Sequence, residues 1–359
     1  MPEYIRISYI QLTLLLTGFL LGSSAIMNQS DTARQDSWLA AILAVIAGVA
    51  VISMNVWISL LNPGKSLIGI LKDKFGNVFG TVTAVLYIWY FIHIAALVTR
   101  ELAEFMVTTT YAETPIIFVA ICMVLVTAYL VRHGLEVIAR TSEILIPLLI
   151  VSVIIIFLVM INLHEYNIEN LLPFNERGLK PILHSSFIMT TFPYGESILF
   201  TMIFPYLYHR KLLKASILGV LISGLLILGI TLRDLMVLGP DLISRVIFPP
   251  HITTGLIPNL DITPLVEVNL IIAGGIKIAI CIFAAALGIA QLLGEHDHKP
   301  FVVPISVLTV VLSIWIFDDI LAFFYWINTV WPYYSIPFQF VIPVLLLLMS
   351  WLKTKQRTV

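Results

Sequence analysis

Six residues inside an otherwise apolar stretch, Phe192-Pro193-Tyr194-Gly195-Glu196-Ser197, combine a helix breaker, a glycine and a carboxylate. Proline removes a backbone donor and clashes with the preceding turn, so this stretch interrupts a helix and frees backbone groups beside a charge. A second interruption lies far upstream, at Gly18 and Gly22-Ser23-Ser24. Helices broken at corresponding positions in two halves of a chain point to a small-ligand site near the bilayer midplane. The candidate ligand-binding residues are therefore Gly22, Ser23, Ser24, Phe192, Tyr194, Gly195, Glu196 and Ser197. Glu196 has a second reading, as a carboxylate capping the half-helix that starts after the break. Lys277 is the one lysine within an apolar run, about eleven residues past Glu267, which at roughly 1.5 Å per residue puts it near the middle of that run. Ionisable residues at that depth are functional candidates by default. Arg100, Glu101 and Glu104 form a third charged cluster, in which Arg100 and Glu104 are spaced to pair on one helix face. That cluster reads first as a structural ion pair, as does Arg233-Asp234, and His93 reads as a packing histidine. Glu295-His296-Asp297-His298 has metal-ligand residue types, but a short polar turn explains it more simply, and Glu267 stays undecided. No nucleophile elbow or phosphate-binding loop is present, so an enzyme is not expected, and no cofactor motif appears.

The elements that must position these groups are membrane spans. Of 359 residues, 59% are hydrophobic and 11% charged, against about 25% charged in soluble domains. A chain this apolar must use lipid as its main solvent, and there every backbone polar group is satisfied within helices. The net charge of −1 argues against nucleic acid. Cys122 and Cys281 both sit in apolar runs and have no disulfide or zinc spacing. Runs of about 20 apolar residues fall at 7–27, 38–61, 80–108, 115–131, 144–163, 183–207, 214–238, 266–293, 301–317 and 331–352. The expected fold is thus an all-α integral membrane protein, a single transmembrane domain over 1–359 with about ten crossings. The first run is longer than a signal-peptide core and lacks a net positive flank, so it is expected to be retained as a span. The aromatic stretch 318–330 is expected at the membrane interface, and 66–79 as a short amphipathic helix on the inner surface. The loop 239–265, with five prolines, is expected to cap an outer vestibule. With the N-terminus inside, thirteen of the 20 Lys and Arg residues fall in inner segments and four in outer ones. That asymmetry places both termini in the cytoplasm.

Several short segments resemble one family. They are Ile7-Ser8-Tyr9-Ile10-Gln11-Leu12, Asp36-Ser37-Trp38, Arg100-Glu101-Leu102-Ala103-Glu104-Phe105, Gly134-Leu135-Glu136-Val137-Ile138-Ala139-Arg140, Leu171-Leu172-Pro173 and Phe192-Pro193-Tyr194-Gly195-Glu196. In order and spacing the chain is similar to the permease-like B subunit of bacterial spore germinant receptors, a branch of the amino acid–polyamine–organocation superfamily. The C-terminal third matches mainly in hydropathy. The resemblance implies a leucine-transporter-type five-plus-five inverted repeat with helices 1 and 6 broken, its halves at about 7–163 and 183–352. It also implies a spore inner-membrane location, a larger A subunit and a lipoprotein C subunit as partners, and a small germinant, typically an amino acid, as ligand. On that frame the amide groups after the first break receive a carboxylate, and the carbonyls before the second break, with Glu196, face an ammonium. Lys277 then has three readings: a built-in cation in place of the sodium that some folds of this type hold between spans one and eight, a proton-coupling group, or a lysine in a polar cavity. The competing functions are a proton-coupled amino acid or polyamine transporter and an ion- or water-conducting component.

The charge asymmetry generates a topology test. In a cysteine-free background on intact cells, a membrane-impermeant thiol reagent is expected to label a cysteine placed at Asn175 and to spare one at His209. The reverse pattern overturns the orientation.

Overall fold

The structure is a computed structural model and describes residues 7–22, 24, 32–162, 166–207, 211–257 and 260–357. Ser23, the segment 25–31 and Arg210 lie outside the described residues. Each of the ten expected runs corresponds to a helix. These are α1 (Tyr9–Leu21), α2 (Ser37–Leu60), α4 (Asn77–Thr109), α5 (Ile116–His133), α6 (Leu135–Asn162), α7 (Leu179–Thr191), α8 (Leu212–Ile243), α10 (Thr263–Leu293), α11 (Lys299–Trp315) and a composite last span. That last span joins α12 (Ile320–Tyr325), α13 (Trp331–Tyr334) and α14 (Ile342–Arg357) through π turns at Trp326–Val330 and Pro337–Val341. Two short helices complete the set, α3 (Leu67–Phe75) and α9 (Pro249–Gly255). Among the described residues, seven helical segments are long and apolar enough to cross a bilayer. By contrast α1 and α7, at 13 residues each, reach only about 20 Å, short of a hydrocarbon core of about 30 Å. Each of these two ends at one of the expected breaks.

Local chemistry sets the helix ends. Ser8 accepts from Gln11 N at 3.1 Å while Gln11 Oε1 accepts from Ser8 N at 2.9 Å, a reciprocal cap that starts α1. Asp319 accepts from Ala322 N at 2.8 Å and starts the last span eleven residues earlier than the hydropathy suggests. The aromatic stretch 320–330 is therefore continuous with that span, and its Phe323 and Ile327 are buried among neighbouring helices. The helix expected at 66–79 forms as α3, but Leu67, Ile68, Ile70 and Leu71 are buried against protein. A Cβ at Gly80 would meet Leu71 O at 2.7 Å, so α4 crosses directly on the α3 backbone.

At the centre stands α10. In its most apolar window 83% of the residues are buried, against 28% in α5 and in α6, which face outward. Glycine lets α4 come close to it: a Cβ at Gly274 would lie 2.8 Å from Leu102, and one at Gly288 would lie 2.9 Å from Ile88. The connections fall into two sets at opposite ends. One end carries Lys65, Asp73 and Lys353, the turn at Gly294, and His298 beside Val131 O at 3.3 Å. Burial works against the Asp73 carboxylate, but hydrogen bonds from Lys65 and Lys353 hold its pKa below the ordinary value of 3.8. This tether is present above that value and is lost as pH falls through the lower one. The other end is joined by Arg34 to Asp241 at 3.1 Å, by Gln35 to Glu176 at 2.9 Å and by Asn175 N to Asp36 at 3.0 Å. The segment 239–265 includes α9, at this same end.

Arg100, buried on α4, staples this second end. Its guanidinium pairs with Glu104 at 2.6 Å and donates to the carbonyls of Ser313, Ile314 and Phe317 at 3.2, 3.3 and 2.9 Å. One side chain thus satisfies the open C-terminal carbonyls of α11. Removing it leaves Glu104 and three carbonyls without that partner, so Arg100→Met is expected to cost about 3–5 kcal/mol. Thermal unfolding of the purified protein in detergent would read this as a clear loss of stability, and an unchanged melting temperature would refute the staple.

Candidate ligand site

The first break forms where α1 stops. Gly22 N donates to Gly18 O at 2.9 Å and the backbone then leaves helical geometry. Ser24 is buried, and its Oγ has no hydrogen-bond partner among the described residues. The second break forms where α7 stops. Phe192 is extended (φ −138°, ψ 108°), and the chain continues as tight 3-10 turns over Tyr194–Met202 and Phe204–Tyr206. The second half of this span is therefore not an α-helix. All residues from Phe192 to Phe204 are buried, so the unusual backbone lies within protein, the condition under which a bilayer tolerates it.

The two breaks meet at Lys277. From α10 its Nζ lies 2.6 Å from Glu196 Oε2, and both side chains are 0% exposed. The same ammonium stands 4.1 Å from the centre of the Phe192 ring and 5.4 Å from that of Phe19, within the range of cation–π attraction. A Cβ at Gly22 would strike Lys277 Cδ at 2.6 Å, so the end of α1 rests on the lysine stem. Glu196 Oε1 has no hydrogen-bond partner among the described residues. The carboxylate expected to face a ligand's ammonium thus already has a resident one.

Tyr194 and Ser197 leave this cluster. The Tyr194 ring fills the space that a side chain on Gly48 of α2 would occupy, and its hydroxyl lies 3.3 Å from where a Cβ on Gly224 of α8 would stand. Ser197 Oγ accepts from Asn55 Nδ2 of α2 at 3.2 Å. These two residues tie the broken span to its neighbours. Arg100 and Glu104 belong to the α11 staple, and Glu101 is buried beside them on α4. Arg233 and Asp234 pair with each other at 2.6 Å, and Arg233 lines a small pocket together with Leu21 at the end of α1. Among the described residues no group of three or more His, Cys, Asp or Glu side chains is placed to hold a metal ion.

Sequence reasoning missed Gln339. Its Nε2 donates to Tyr90 Oη and to Thr191 O, each at 2.7 Å. The carbonyl of Thr191, freed where α7 stops, is thereby occupied. The Gln339 amide oxygen has no partner among the described residues and presses on Gly195, where a Cβ would collide with it. Tyr90 is held flat between Phe338 (4.5 Å) and Trp331 (5.5 Å). The π turn Pro337–Val341 carries Gln339, and such turns recur at functional sites. A signal was available: Gln339 is the one carboxamide in the run 331–352.

Phe192, Gly195, Glu196, Gly22 and Lys277 thus form one closed polar centre, joined by Gln339, Tyr90 and Thr191. A buried ion pair, an unpartnered carboxylate oxygen and an unpartnered amide oxygen together suit reversible binding of a small charged or polar molecule. The fold around this centre has a clear likeness. MhsT, solved in complex with L-phenylalanine, superposes with a TM-score of 0.62 over 98% of this chain and 99% of that one, at 14% identity. The fold is accordingly of the leucine-transporter type, with helices 1 and 6 broken. In sequence, spore germination protein KB of Bacillus subtilis (strain 168) is 32% identical over 362 aligned residues, which span 99% of this chain and 97% of that protein. Spore germination protein A2 of the same organism is 28% identical over half of the chain. Residues 6–319 match the family described as spore germination protein, and the chain belongs to that family.

Proposed function

We propose that the chain is the permease-like subunit of a spore germinant receptor and binds a small germinant, an amino acid, at the Lys277–Glu196 centre. On this reading it sits in the spore inner membrane with both termini cytoplasmic, beside a larger A subunit and a lipoprotein C subunit. The observation that carries the proposal is the buried pair itself, set where both broken helices end. An amino acid zwitterion has the complementary charges: its ammonium competes with Lys277 for Glu196, and its carboxylate competes with Glu196 for Lys277. Exchange of one internal pair for two ligand pairs keeps the centre neutral throughout, which matters where an uncompensated charge costs several kcal/mol. Gln339 must also leave Gly195, so ligand entry is coupled to the last span.

Binding and flux in proteoliposomes test the proposal. Saturable binding of an L-amino acid without uptake is the expected result. Saturable uptake would replace the sensor by a proton-coupled amino acid or polyamine transporter, and conductance without ligand would favour a conducting component.

Both glycines are expected to be essential. Gly195→Leu drives a side chain into Gln339, and Gly22→Leu drives one into Lys277. Each variant should reach the membrane and lose the ligand response. Normal accumulation with response at unchanged ligand concentration would remove the breaks from the site.

The ion pair is expected to behave as a unit. Glu196→Gln and Lys277→Met alone should each cost about 3–5 kcal/mol by leaving a buried charge unpaired, and the double variant should recover most of that loss. Additive losses in thermal unfolding would show that the two charges do not interact. Glu196→Gln should weaken ligand binding more than Glu196→Asp, since charge-assisted hydrogen bonds are about twice as strong as neutral ones. If Lys277 serves as a built-in cation, wild-type binding is independent of sodium and Lys277→Met is partly rescued by it. Loss of pH dependence in a variant that still binds would instead mark Lys277 as proton-coupling.

A further inference from the structure

Toward the end of the bundle that carries α9, a pocket of about 30 Å³ lies among α1, α6, α8, α9 and α10. Leu21, Ile230, Pro250 and Ala273 contribute apolar walls, and Arg233 and Asn269 are the polar residues of the lining. Ala273 precedes Lys277 by four residues, so it stands one turn away on the same face of α10. Leu21 precedes Gly22, whose missing Cβ makes room for the lysine stem. The pocket thus adjoins the centre from two sides, while neither Lys277 nor Glu196 lines it.

Arg233 is 2% exposed. Its Nε and Nη2 both turn to one oxygen of Asp234, Oδ1, at 2.8 and 2.6 Å. The Nη2 contact is ionic only, since that nitrogen has no hydrogen-bond partner among the described residues. A guanidinium carries five N–H groups in a planar fork that fits a carboxylate with two parallel bonds. Contact with a single Asp234 oxygen leaves half of that geometry unused, so donors remain for a second carboxylate. Asn269 donates from Nδ2 to Ser152 Oγ at 3.0 Å, and its carbonyl oxygen can accept.

We propose that this pocket is a second binding site, for the smallest zwitterionic amino acid, glycine, whatever binds at the Lys277–Glu196 centre. The glycine carboxylate bonds the Arg233 guanidinium, and the ammonium bonds the Asn269 carbonyl oxygen. A simple carboxylate would leave a net negative charge beside the neutral Arg233–Asp234 pair. Unbalanced charge is costly there, so the pocket favours a zwitterion. The volume is that of about two waters, which admits glycine and leaves no room for a side chain. Bound glycine stands against the end of α1 and the turn before Lys277, so its occupancy bears on the centre.

Equilibrium binding of radiolabelled glycine to the purified protein in nanodiscs tests this, with thermal unfolding to verify that each variant is folded. Glu196→Gln with Lys277→Met removes the centre and should leave one glycine site per chain. Arg233→Gln with Asp234→Asn removes the guanidinium and its partner together, so no buried charge is stranded. It should weaken binding at this site by at least about tenfold, the worth of a hydrogen bond to a charged group. Acetate and methylamine each carry one charge of the zwitterion, and neither should displace glycine where unlabelled glycine does. In the protein without the centre, alanine should bind more weakly than glycine by about tenfold or more. Ile230→Ala, which opens the wall, should remove that discrimination. If the centre binds no amino acid, wild type still binds one glycine, and only the Arg233–Asp234 exchange removes it. Glycine stoichiometry and affinity unchanged by that exchange overturn the proposal, as does loss of all glycine binding in a folded variant that lacks only the centre. Displacement by acetate alone, or alanine bound as tightly as glycine with Ile230 in place, also overturns it.

Discussion

A lysine and a glutamate that both have no access to solvent can stay charged only by staying together, and the centre of this molecule is arranged around that constraint. Lys277 comes from the most buried helix and Glu196 from the middle of a broken one. Their contact fixes where α10 stands relative to the second break. The lysine stem then fixes α1, because only a residue without a Cβ can end that helix against it. The aromatic rings of Phe19 and Phe192 close over the ammonium and keep water away. A pair of charges thus specifies the mutual position of three spans in a solvent where apolar contacts alone discriminate poorly between arrangements.

The ends of the bundle are held differently. Arg100 satisfies four acceptors at once and locks α4 to the close of α11. At the opposite end the contacts are single lysines on a shared, partly open carboxylate. Partly exposed ion pairs are each worth little, while a buried arginine with a carboxylate and three carbonyls resists opening. One end is therefore rigid and the other compliant.

Much of this was legible in the sequence for a physical reason. Hydropathy reports the solvent of a helix, and Phe192-Pro193-Tyr194-Gly195-Glu196 reports a broken one. Glu196 and Lys277 each stood out because charge at that depth is expensive. Their pairing was not legible, since residues 196 and 277 lie on different spans with α8 between them in sequence, and periodicity is silent about which helices touch. Gln339 escaped for the opposite reason: an uncharged amide costs little to insert, so it leaves no mark in a hydropathy profile. Tyr194 and Ser197 belong to the same break as Glu196. A 3-10 turn points successive side chains in quite different directions, and these two point at α2 and α8 instead.

The closed state of the centre has a consequence for sensitivity. Glu196, Lys277 and Gln339 are 0% exposed, so on the proposed function a ligand binds only the fraction of molecules that have opened, and its apparent dissociation constant rises in inverse proportion to that fraction. A molecule open one time in about a hundred would need about a hundredfold more ligand than its contacts alone require. On the proposed function, the buried salt bridge sets a detection threshold, and strengthening or weakening it shifts the ligand concentration at which the centre opens.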